Sequence, residues 1–137
     1  MNYNIQFEHV IPYRAVPLRT GLFPALFVGL IGPGGQDDSL VILDTGAEYS
    51  IFNGSRASAL GLNLLAGQRV TVSSLGGSVE GYIHPIVLEI EGSQFQTEVV
   101  FSLNRIPREL LGRSSVFRQV TWGLRESRQE MYFSPRP

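Results

Sequence analysis

Leu40-Val41-Ile42-Leu43-Asp44-Thr45-Gly46-Ala47 is the stretch on which the reading of this chain turns. Four aliphatic residues in a row suit a buried strand. A carboxylate set directly after such a strand is costly unless hydrogen bonds or a second ionisable group compensate for the lost water. Gly46 lets the backbone turn sharply, and the small side chain of Ala47 leaves room beside the acid. The pattern occurs once. Only three aspartates are present, and the other two, Asp37 and Asp38, sit in a glycine-rich stretch.

Working outward, most segments read as short strands bounded by glycine, proline or polar turns. Residues 25–31 form a strand, 32–38 a turn and 39–43 the returning strand. That turn, Gly32-Pro33-Gly34-Gly35-Gln36-Asp37-Asp38, lacks the lysine and following helix of a phosphate-binding loop and reads as a hairpin connection. Residues 49–52 are a strand and 55–60 a helix, with Ser55 as N-cap and Gly61 as its stop. Residues 69–75 and 78–90 flank Gly76-Gly77, a two-residue hairpin turn, and Gly92-Ser93 turns into a strand over 95–101. A second short helix is expected over 113–118, and a closing hairpin from 120–124 and 130–133. Near the N-terminus, Ile5-Gln6-Phe7-Glu8-His9-Val10-Ile11 alternates as a strand does, either within the barrel or across a dimer. The expected class is all-β: residues 1–137 as one small closed, mostly antiparallel barrel with one or two short helices.

Composition narrows the chemistry. A chain of 137 residues with 43% apolar and 17% charged residues can bury a sizeable core. All 11 basic residues are arginine, which excludes lysine Schiff-base and P-loop chemistry. Cysteine is absent, so disulfides, thiol catalysis and thiolate metal sites are excluded too. A formal net charge of -1 gives no reason to expect nucleic acid or an acidic membrane as partner. No secretory signal is visible, and the apolar stretch 22–31 is interrupted by Pro24 and Gly29. The expectation is a soluble, cytoplasmic protein.

The string from Val41 to Phe52 closely resembles the active-site segment of retropepsin-like aspartic proteases. A second element similar to that family follows at Leu110-Leu111-Gly112-Arg113, which there crosses under the catalytic loop in a ψ-shaped substructure. Between the two, the hairpin over 70–82 stands where the family carries its substrate-covering flap, with Leu75, Gly76, Gly77 and Ser78 at the tip. The resemblance runs from about Ala25 to Phe133 and implies an acid-protease barrel. It makes Asp44 the catalytic acid and base, and Thr45 the residue whose hydroxyl bonds across a dimer axis. Gly46 would take a substrate backbone hydrogen bond, and Ala47 would line the cleft floor. It also implies a Glu48–Arg113 ion pair bracing the loop. Ser114 departs from the pattern, where Asp or Asn often follows Gly-Arg.

Peptide hydrolysis by carboxylates needs two acids that share one proton, one activating water and the other polarising the carbonyl. With no second Asp-Thr-Gly or Asp-Ser-Gly in the chain, the second aspartate must be Asp44 of another copy. The expected partners are therefore a twin chain, in a homodimer, and a peptide or protein substrate, with no metal and no cofactor. The residues 1–22 form an arm that could join the subunits. Two other readings stand beside this one: a catalytically silent peptide-binding or dimerisation module of the same fold, and a metal-dependent hydrolase using Asp44, Glu48 and His84. No G-x-S-x-G or H-E-x-x-H is present, and His9 and His84 are far apart and read as structural.

Overall fold

Alternation of buried and exposed side chains builds the strands. In β2 (Ala25–Ile31), Leu26, Val28 and Leu30 are buried while Phe27 is exposed, the period of two required of a strand with one face on a core. The computed structural model describes residues 4–137. Its other strands are β1 (His9–Pro12), β3 (Gln36–Leu43), β4 (Ile51–Asn53), β5 (Gln68–Ser74), β6 (Gly77–Ile90), β7 (Ser93–Ser102), β8 (Glu109–Leu111), β9 (Thr121–Arg125) and β10 (Glu130–Ser134).

Seven strands form one sheet in the order β2-β3-β8-β4-β7-β6-β5, and a further pairing of β2 with β6 closes six of them into a barrel. Closure removes the free edges that an open sheet would present. Most pairings are antiparallel, but β3 with β8 and β4 with β7 run parallel. The short β8 thus lies between β3 and β4, directly beneath the end of β3 that carries Asp44. The second sheet, β1-β10-β9, turns Ile11, Met131 and Phe133 into the same core that holds Leu26, Leu88 and Phe101. Phe133 stacks obliquely on Trp122 with ring centroids 4.7 Å apart.

Several boundaries differ from the expected ones. Asp37 and Asp38 belong to β3 and not to the turn before it. The glycines of that turn serve close packing: the Gly34 amide donates to the Leu60 carbonyl at 3.0 Å, and a Cβ on Gly34 would press on Gly61 at 2.9 Å. The helix expected over 55–60 is a single 3-10 turn, Gly54–Arg56, because so short a segment does not support α-helix nucleation. Asn53, not Ser55, stands at its N-cap, and its side chain caps nothing there. Likewise the helix expected over 113–118 contracts to Phe117–Gln119, since Ser115 takes a left-handed φ of 72°.

Two hairpin turns sit one residue earlier than expected. Ser74 pairs with Gly77, so the turn is Leu75-Gly76, and Ile90 pairs with Ser93 across Glu91-Gly92. Both Glu91 and Gly92 have positive φ, the geometry that matches the twist of two antiparallel strands. The N-terminal strand is shorter than its alternation suggests: β1 covers His9–Pro12 and pairs with β10 of its own chain, outside the barrel. Of the arm 1–22, residues 1–3 lie outside the described residues. Among the described residues, no helix is long and apolar enough to cross a membrane.

Candidate active site

Asp44 begins where the β3 ladder ends. Its amide donates to the Leu111 carbonyl at 3.0 Å, continuing the parallel pairing of Leu43 with Leu111 by one more bond. The chain then reverses: the Ala47 amide donates to the Asp44 carbonyl at 3.2 Å, and the Gly46 amide donates to Asp44 Oδ1 at 2.9 Å. This Asx turn holds one carboxylate oxygen in place and leaves Oδ2 without a hydrogen-bond partner among the described residues. The carboxyl group is half-buried, so it keeps access to water while its orientation is fixed by the backbone.

Beneath the loop, residues 110–114 are stitched to it. The Gly112 amide donates to Ser50 Oγ at 3.0 Å, the Arg113 amide to the Ala47 carbonyl at 2.9 Å and the Ser114 amide to the Glu48 carbonyl at 2.6 Å. The crossing is tight. A Cβ on Gly112 would fall far inside contact distance of the Tyr49 carbonyl oxygen and within 3.0 Å of the Ala47 carbonyl oxygen. Only glycine allows the two backbones to approach this closely.

The ion pair expected between Glu48 and Arg113 is absent from the ion pairs of the described residues. Both side chains are exposed, and the two residues meet through main-chain bonds instead. Bracing by charge occurs elsewhere, behind β8. Glu109, buried, receives Arg56 bidentately, Nε on Oε2 and Nη2 on Oε1, each at 2.6 Å. Arg56 Nη1 reaches Asp37 Oδ2 and the Asp38 carbonyl, both at 2.8 Å. Ser39 Oγ donates to Glu109 Oε1 at 2.8 Å and the Asn53 amide to Oε2 at 2.9 Å. Asn53 Oδ1 in turn accepts the Ile106 amide at 2.8 Å. The Glu109 hydrogen bonds hold the Arg56 guanidinium above its usual pKa, outweighing the opposing effect of burial. This network clamps β8 to β3 and to the chain after β4. Sequence reasoning missed it; its one local trace is an acid, Glu109, beside two leucines that point to a core strand.

Above the loop an open cleft of about 1170 Å³ runs between residues 44–51, residues 106–110 and the β5–β6 hairpin. Its walls include Asp44, Gly46, Ala47, Glu48, Leu110 and Arg113, and from the hairpin Thr71 to Gly76 and Val79. Gly77 and Ser78, expected at the tip with Leu75 and Gly76, begin β6 and stand outside this wall. Leu111 and Gly112 are buried under the loop. Thr45 is exposed, and its hydroxyl has no hydrogen-bond partner among the described residues. His84 does not join Asp44: it is buried, with Nε2 2.8 Å from the Leu64 carbonyl. Among the described residues, no cluster of His, Cys, Asp and Glu is arranged to hold a metal.

Known structures share this fold. The protease of EIAV, solved in complex with the inhibitor HBY-793, is similar at 23% identity with a TM-score of 0.52, covering 73% of this chain and 88% of that one. A retropepsin-like aspartic protease from Rickettsia conorii is similar at 16% identity with a TM-score of 0.62, covering 90% of this chain and 96% of that one. At such identities the likeness speaks for the fold, the retropepsin barrel. No curated protein sequence matches the chain. The profile of the family described as Aspartyl protease matches residues 33–113, more than half of the chain. That stretch runs from the glycine-rich turn, through the Asp44 loop, to the Arg113 that closes the crossing beneath it, and by it the chain belongs to the aspartyl protease family.

Proposed function

We propose that the protein is an aspartic endopeptidase that works as a homodimer, with Asp44 of two copies forming the reacting pair. The observation that carries this reading is the lone turn-held carboxylate at the floor of a cleft, with no second aspartate in reach of it. Asp37 is engaged by Arg56 behind β8, and Asp38 is an exposed strand residue. A twofold axis beside the loop repeats Asp44 and supplies the missing acid.

Two carboxylates at close range cannot both ionise, so the pair holds one proton and suits an acidic medium. The ionised carboxylate takes a proton from water as its oxygen adds to the peptide carbonyl carbon. The protonated partner donates its hydrogen to the carbonyl oxygen, giving a tetrahedral diol. The diol collapses as the C–N bond breaks: the protonated carboxyl gives its proton to the amine nitrogen, and one diol hydroxyl returns a proton to the ionised carboxylate, restoring the one-proton pair. No covalent enzyme intermediate is needed. Thr45, with its exposed hydroxyl, would bond to its counterpart across the axis and stiffen both loops. Gly46 and Ala47 would meet substrate backbone, and the β5–β6 hairpin would act as the flap. The arm 1–22 would contribute to the dimer through the outer edge of β1, since its other edge is occupied by β10.

Digestion of a random peptide library between about pH 3 and 8, with and without a statine-type inhibitor, tests the reading. Cleavage blocked by the inhibitor and lost in Asp44→Asn is expected. Inhibitor binding without cleavage at any pH would instead mark a silent peptide-binding module.

A further inference from the structure

Four charged residues line the cleft: Asp44, Glu48, Arg108 and Arg113. Asp44 belongs to the tight turn after β3, and Glu48 and Arg113, both exposed, to the corner stitched by main-chain bonds. Arg108 stands apart. It directly precedes β8, and strand alternation puts it with Leu110 on the cleft face while Glu109 and Leu111 face away. It is half-buried, yet among the described residues its guanidinium has no ion-pair or hydrogen-bond partner. Its neighbours in the wall, Ile106, Pro107 and Leu110, are apolar and offer it no side-chain acceptor.

The backbone here is not free to carry the arginine elsewhere. Ile106 is tied by its amide to Asn53, and Glu109 is fixed by Arg56, Ser39 and the Asn53 amide, so the segment that presents Arg108 is anchored on both sides. A fixed, half-desolvated guanidinium without a carboxylate is a recognition group lacking its counterpart. We propose that Arg108 is a specificity-determining residue that selects peptides carrying an acidic side chain, Glu or Asp, near the scissile bond. This rests on the aspartic endopeptidase reading. In the homodimer each Arg108 is repeated across the axis, so the preference falls at two positions, one on either side of the bond.

Binding and cleavage separate the two ideas. Binding is measured with Asp44→Asn, which retains the turn but does not process the probe. The probes are an otherwise apolar octapeptide series with a single Glu, Gln or Lys moved through each position. The expected result is tighter binding of Glu over Gln at one or two positions, by about fivefold at low salt and less at high salt. Adding Arg108→Glu to Asp44→Asn should invert the order, with Lys peptides preferred at the same positions. Equal binding of the three series, no binding of any, or a preference that persists in the Arg108→Glu background, would overturn the proposal. Cleavage of the best Glu peptide by the protein with Asp44 intact is scored separately. Selective binding without cleavage sinks the protease reading and leaves the acidic selection standing.

Discussion

The Asp44 turn and the β5–β6 hairpin face each other across one cleft and are built in opposite ways. The turn is held from below by main-chain bonds from Leu111, Arg113 and Ser114, and by Ser50 Oγ on the Gly112 amide. Among the described residues, the hairpin tip has only its own ladder and a 3.2 Å bond from Ser74 Oγ to the Gly77 carbonyl. Leu75 at the tip is 110% exposed, and a Cβ on Gly76 would meet nothing within 4 Å among the described residues. The same cleft thus pairs a wall that cannot yield with a wall that has little to stop it. A reacting carboxylate benefits from the first, because its geometry must survive substrate binding. Admission of a peptide requires the second.

Changing the reacting group in the rigid wall should have the largest effect. Asp44→Asn keeps the oxygen that accepts the Gly46 amide, so the turn survives. Peptide cleavage should nonetheless fall by about 10³-fold or more with an unchanged melting temperature, as read by a fluorogenic assay and thermal denaturation. Gly112→Ala forces a methyl group into the Tyr49 and Ala47 carbonyls and should cost about 2–3 kcal/mol in a denaturant titration. The same substitution in the lightly held wall, Gly76→Ala, should stay within about 0.5 kcal/mol of the parent. Similar losses for the two glycines would break the contrast.

Glu109→Gln probes the rear support of the rigid wall. It leaves the Arg56 guanidinium without its bidentate carboxylate where the two side chains are only 22% and 8% exposed. About 2 kcal/mol of stability should go, less than for a fully buried pair because Asp37 and some solvent remain. Leu75→Ser should have the smallest effect. Stability should not move measurably, and KM for a peptide should rise about two- to threefold with kcat nearly kept. A fall in kcat comparable to that expected of Asp44→Asn would show the tip to be part of the rigid machinery.

Features that depend on neighbours in sequence were legible before the structure. Strand β2 occupies the residues that alternation and flanking turns predict, and both long hairpins follow from short apolar runs around glycine. The resemblance to retropepsins, not local pattern, marked the single Asp-Thr-Gly and the later Leu-Leu-Gly-Arg as parts of one site, and the parallel pairing of β3 with β8 brings the two segments together. Turn positions slipped by one because Gly77, at φ 126°, serves as the first residue of a strand instead of the second of a turn. The clamp was illegible for a different reason. Arg56 lies 53 residues from Glu109 and 19 from Asp37, and a charge pair across such distances leaves no periodic trace. The Glu48–Arg113 pair failed in the reverse sense: the backbones do meet, but the two exposed side chains do not form a bridge.

The hydrogen bond from the Gly112 amide to Ser50 Oγ joins residues 62 positions apart, and it has a consequence for the order of biosynthesis. A ribosome delivers Asp44 long before it delivers the strand that lies under it. Throughout that interval the nascent polypeptide holds the acid without a floor. The turn that holds Asp44 is thereby completed only once residues 111–114 have been made. A product truncated between Ala47 and Gly112 would carry the Asp44 signature without the crossing that holds it.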